Sequence, residues 1–169
     1  MCDEENIVID EVQNVVTSFN IDRSKFFKVS DEVESSVIED TYYSFVDVSQ
    51  YSTISINKIY DRLDDRLSNN DLTKSIVLGE RSWEDFLKYI FVYAPKSDNS
   101  AYLCISGTAQ DEDFSAVYQG ELSAIVKVLF EGVPLGNGGD FTIVSKHFNW
   151  LIYYNDSQET LCYIQDTHR

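Results

Sequence analysis

The chain has 169 residues, with 29 Asp or Glu against 13 Lys or Arg, a formal net charge of −16. Such a charge repels nucleic-acid phosphate and anionic lipid and favours encounters with cationic proteins. A hydrophobic fraction of 43%, with 11 Tyr and 10 Phe, excludes a disordered chain and supplies the core of one domain over residues 1–169.

The first half reads as helix. Val8, Val12, Val15, Val16 and Phe19 recur at spacings of three and four, with Asp3 placed to cap the start. A polar turn, NIDRS, follows. Val33, Val37 and Ile38 continue in helical spacing, while Tyr42 to Val48 is β-prone and ambiguous. Ile56, Ile59, Tyr60, Leu63 and Leu67 form a third amphipathic stripe, stopped by Ser68-Asn69-Asn70. KSIVLGE reads as a strand. Ser82, with Asp85 three residues on, opens a helix carrying Trp83, Phe86, Leu87, Ile90 and Phe91, and Pro95 ends it.

The second half turns to strands. AYLCISG is expected to end at Gly107, and FSAVYQG follows. Glu121 to Glu131 is a helix with Leu122, Ile125, Val126, Leu129 and Phe130 apolar, closed by Gly132. DFTIVS and NWLIYYN form a hairpin across Lys146-His147-Phe148, and ETLCYIQD extends it to a meander, with Trp150 packed inside. Helices first and paired strands later predict an α+β fold, with helices packed on one face of a mainly antiparallel sheet.

Chemistry-bearing residues are sparse. The only histidines are His147, in the expected hairpin turn, and His168, beside the C-terminus, which leaves no Ser-His-Asp or Cys-His template. Cys2, Cys104 and Cys162 are odd in number and unpaired in spacing, against a disulfide framework or a zinc site, and Cys104 and Cys162 read as core thiols of a reducing compartment. Asp111-Glu112-Asp113 lacks the spaced oxygens of a calcium loop and reads as a solvated turn before a strand. Gly136-Asn137-Gly138-Gly139 precedes a strand that starts with Asp140, unlike a phosphate loop, which opens a helix. No catalytic residue, cofactor or metal is expected. The opening MCDEEN is unlike a secretion signal, and no run approaches the ~20 apolar residues of a membrane span, so a cytoplasmic protein is expected.

The acidic residues are then the candidates. Asp61, Asp64 and Asp65 lie on the third stripe, interleaved with Arg62 and Arg66, and Asp111, Glu112 and Asp113 form an acidic loop. Either group could meet Lys or Arg of a partner.

The segment from Asp140 to Asn155, DFTIVSKHFNWLIYYN, resembles a C-terminal hairpin of small bacterial domains of unknown function, many of them found among immunity proteins of polymorphic toxin systems. That resemblance implies a protein that binds and neutralises a toxin. Together with the charge, it gives the expectation of a protein-binding module of the immunity-inhibitor type whose partner is a basic toxin or nucleic-acid-processing protein. The alternative is a regulatory or scaffold domain for a small ligand or peptide, and a third is an enzyme built on carboxylates alone.

Overall fold

The computed structural model describes residues 4–45, 75–80, 83–94, 96, 99–109, 112–132, 140–154 and 159–164. In chain order these form α1 (Glu4–Ser18), β1 (Phe26–Lys28), α2 (Asp31–Phe45), β2 (Ser75–Glu80), α3 (Trp83–Tyr93), β3 (Ser100–Ala109), β4 (Glu112–Glu121), α4 (Leu122–Glu131), β5 (Asp140–Ser145), β6 (Trp150–Tyr154) and β7 (Glu159–Ile164). The described strands make one sheet in the order β1-β4-β3-β5-β6-β7-β2, and every neighbouring pair is antiparallel. The expected α+β class and the C-terminal meander β5-β6-β7 are both present.

The pleat sorts the core into two layers. Leu103 and Ile105, Ala116 and Tyr118, Phe141 and Ile143, and Trp150 and Ile152 face one side, against Val12 and Val16 of α1, Phe86 and Ile90 of α3, and Ile125 and Leu129 of α4. Cys104, Val117, Val144, Leu151 and Tyr153 face the other side, against Val37, Tyr42 and Phe45 of α2. The one-face arrangement therefore holds for α1, α3 and α4, while α2 adds a layer on the opposite face. The cause is legible in β6, where all five residues of WLIYY are buried. A strand apolar on both faces needs cover on both. Trp150 is 1% exposed.

Several local expectations shift. Tyr42 to Phe45 is helical, because Tyr42 and Phe45 extend the stripe begun by Val37 onto the sheet. The three-residue strand β1 has no periodicity of its own to announce it; it exists because Phe26, Phe27 and Lys28 pair with Gly120, Gln119 and Tyr118. β3 runs past Gly107 to Ala109 and β4 begins at Glu112, so Gly107 sits inside the ladder opposite Phe114. Phe19, Phe91 and Phe130, expected on apolar stripes, are exposed, whereas Ala124 and Val128 are buried on α4. Gly132 closes α4 with φ −89°, outside the left-handed region, its amide donating to the Val128 carbonyl. The helical stripe from Ile56 to Leu67, Asp3, Ser82, Pro95, Gly136 to Gly139, and His168 lie outside the described residues.

α1 ends as its sequence prescribes. Asn20 adopts φ 50°, the left-handed conformation that Asn tolerates better than most residues. The Ile21 amide donates to Val16 O at 3.0 Å and the Asn20 amide to Thr17 O at 3.4 Å, a Schellman closure in which Ile21 and Val16 meet in the core. Asp22 then accepts from the Ser24 amide at 2.9 Å and the Ser24 hydroxyl at 2.7 Å, and these bonds hold its carboxyl below the usual range. The turn delivers the chain into β1.

Candidate partner-binding surface

α2 contains Asp31, Glu32, Glu34, Glu39 and Asp40 and not one basic residue. These carboxylates do different things. Asp31, Glu32 and Glu34 occupy the first turn, where the positive end of the helix dipole favours anions. Glu34 is also built into the fold. Its Oε2 accepts from the Val117 amide at 3.3 Å and lies 3.4 Å from Lys28 Nζ. β1 stops at Lys28, and the Glu34 carboxylate takes a β4 amide just beyond it. Lys28 also reaches Asp31 at 3.9 Å.

Glu39 and Asp40 lie beyond the first turn, where the dipole no longer helps. Glu32, Glu39 and Asp40 are exposed, and none of them forms an ion pair among the described residues. With Ser36 and Tyr43 they recur at spacings of three and four along the helix, opposite the stripe of Val37, Thr41 and Phe45 that packs on the sheet. Ser36 donates to Asp40 Oδ2 at 3.3 Å, and Tyr43 stands 53% exposed at the end of the row. Inside the helix, the buried Thr41 hydroxyl donates to Val37 O, which satisfies it away from water. The outward face thus combines three solvated carboxylates with one large aromatic.

The residues singled out by sequence are placed differently. Asp61, Asp64, Asp65 and Asp111 lie outside the described residues. Glu112 and Asp113 are not on a loop: they open β4, paired with Ala109 and Thr108. Pairing won because the alternation of the β3–β4 hairpin continues past Phe114 to the end of the ladder. Asp113 stands four positions along β4 from Val117, roughly 14 Å at strand rise, so these acids are not gathered with the Glu34 contact. The signal for α2 was available in the sequence, as a 15-residue helix with five carboxylates and no Lys or Arg.

The other candidates are quiet. His147 is exposed at the tip of the β5–β6 hairpin, while the Ser145 hydroxyl of that hairpin donates to Asn149 Oδ1 at 2.6 Å and accepts from the Asn149 amide at 3.1 Å. Phe148 at that tip has φ 52°, strained for a bulky residue, and its ring stacks on Tyr102 at 6.1 Å, packed against the α2-side core. Cys104 is a free thiol buried between sheet and α2, and burial, with the Glu34 charge nearby, pushes it up to about 12. Among the described residues no three His, Cys, Asp or Glu cluster to hold a metal, and no helix is long and apolar enough to cross a membrane.

The sequence profile of one family matches residues 5–169. The chain belongs to DUF6756, a family of unknown function. Membership agrees with the resemblance to domains of unknown function and carries no statement about immunity or toxins. No curated protein and no solved structure matches this DUF6756 chain.

Proposed function

We propose that this protein is a binding module that docks on a basic protein through the outward face of α2. The observation that carries the reading is the row Glu32, Glu39, Asp40 and Tyr43: three exposed carboxylates with no ion pair among the described residues, beside an exposed aromatic. Carboxylates attract Lys and Arg over long range and set register at contact, and Tyr supplies rigid contact area. The net charge of −16 steers such an encounter and fades as a driving force when salt shortens the Debye length below about 8 Å. The finer reading is an immunity-type inhibitor that covers the cationic active site or nucleic-acid groove of a toxin, supported by the resemblance of Asp140 to Asn155.

The test is affinity capture from host cells with the wild-type chain and with Glu32→Lys/Glu39→Lys/Asp40→Lys. Expected is a basic protein retained by the wild type at low salt, released as salt rises, and absent from the variant. A variant that stays folded and retains the same protein at the same salt overturns the α2 assignment. For the finer reading, co-expression with a toxin domain encoded beside this protein restores growth with the wild type and fails with the variant.

A further inference from the structure

The α1–β1 corner holds a cleft of about 230 Å³ lined by Gln13, Val16, Arg23, Phe26, Phe27, Lys28 and Tyr118. Of the chain's 13 basic residues, Arg23, Lys25 and Lys28 fall within six consecutive positions here. Two of these are already matched: Lys25 pairs with Glu121 at 3.3 Å, and Lys28 with Glu34 at 3.4 Å. Arg23 has no ion pair among the described residues, although acids outnumber bases more than two to one in this chain. The Gln13 side chain, across the cleft on α1, likewise makes no hydrogen bond among the described residues.

The setting is held firmly. Asp22 and Ser24 lock the turn that carries Arg23, and the Lys25 and Phe26 amides both donate to Asp22 O, at 2.9 and 3.1 Å. Phe26 stacks on Tyr118 with centroids 5.1 Å apart and planes 6° from parallel, a buried pair that holds the base of the cleft, and Phe27 stands exposed at the rim.

We infer that this cleft binds a small carboxylate carrying a flat apolar group, its carboxylate on Arg23 and Gln13 and its ring against the exposed Phe27. The Arg fork matches a carboxylate bidentately, and the Gln amide adds a neutral donor. Size selects the class: about 230 Å³ lies below the roughly 300–1,000 Å³ of sites for drug-sized ligands, so a single ring with a carboxylate fits and a dinucleotide does not. Charge selects it again, because a multiply charged phosphate meets the field of a −16 protein with one unmatched cation to hold it. The site is separate from α2's outward row, and its test does not depend on a protein partner.

The probe is benzoate, titrated into the ¹⁵N-labelled full chain at low salt, with benzamide and benzylamine as neutral and cationic counterparts. Benzoate is expected to shift the amides of Arg23, Phe27 and Lys28 and to saturate in the millimolar range, whereas benzamide and benzylamine do not saturate. Arg23→Gln, on an exposed position, weakens benzoate at least about tenfold with an otherwise unchanged spectrum. Glu32→Lys/Glu39→Lys/Asp40→Lys leaves the saturable benzoate site in place. Equal binding of benzoate and benzamide, unaltered benzoate affinity in Arg23→Gln, or no saturable shift at these amides each overturns the inference.

Discussion

Gly120 of β4 lies directly opposite Phe26 of β1, and an added methyl there has nowhere to go. It pairs with Phe26, and a Cβ built on it stands 2.8 Å from Phe26 Cδ2, 2.9 Å from the Lys25 carbonyl oxygen and 3.4 Å from Ile125 Cγ1. A ring can turn aside; the carbonyl cannot, because it accepts from the Glu121 amide at 2.9 Å. Overpacking of this kind costs about 1–3 kcal/mol, and the lower entropy of an unfolded Ala chain returns about 0.4–1. The net expectation for Gly120→Ala is a loss of about 1–2 kcal/mol, or a melting temperature lower by about 2–8 °C for a chain of this size. Thermal and urea melts followed by circular dichroism read it directly. In a Phe26→Leu background more than half of the cost should persist, since the fixed neighbour is backbone; double-mutant analysis measures this. A Gly120→Ala protein as stable as wild type, or more stable, would refute the reasoning, and complete rescue by Phe26→Leu would place the clash on the ring alone.

Three further outcomes follow from the half-buried Glu34 and the buried Cys104. Glu34→Ala leaves the Val117 amide without its carboxylate acceptor and should cost about 1.5–3 kcal/mol in urea melts, with Glu34→Gln, which keeps a carbonyl in reach, losing less. In a Cys2→Ser/Cys162→Ser chain, the remaining Cys104 should react with a thiol reagent only as fast as the protein opens, and a fast reaction in the native state would contradict its burial. The same thiol is raised from 9.0 to about 12, so the native state keeps a proton that the unfolded chain releases; stability from this group is whole below pH 9 and declines as pH climbs toward 12, which alkaline urea melts of Cys104→Ala against its parent should reveal.

The sequence determined whatever rests on near-neighbour physics. Short β-prone apolar runs around Trp150 and Ile143, bounded by turn residues, wrote the meander, and the stripe of Phe86, Leu87 and Ile90 wrote α3, because a side chain's face follows from its position along a regular element. Asn20 and Asp22 wrote the exit from α1 by the same local means. What the tertiary structure decided depended on residues distant in the chain. β1 has three residues and exists through partners in β4 that stand 90 to 94 positions away. The helicity of Tyr42 to Phe45 is fixed by a sheet face made of Cys104, Val144 and Leu151, against a β-prone local preference. The candidate sites divide in the same way. The acid count of α2 could be read from composition, but its outward row required knowing which stripe the sheet covers. The Arg23 cleft joins α1, the turn after it, β1 and Tyr118, and no spacing in the sequence brings those four together, because only the pairing of β1 with β4 carries Phe26 onto Tyr118.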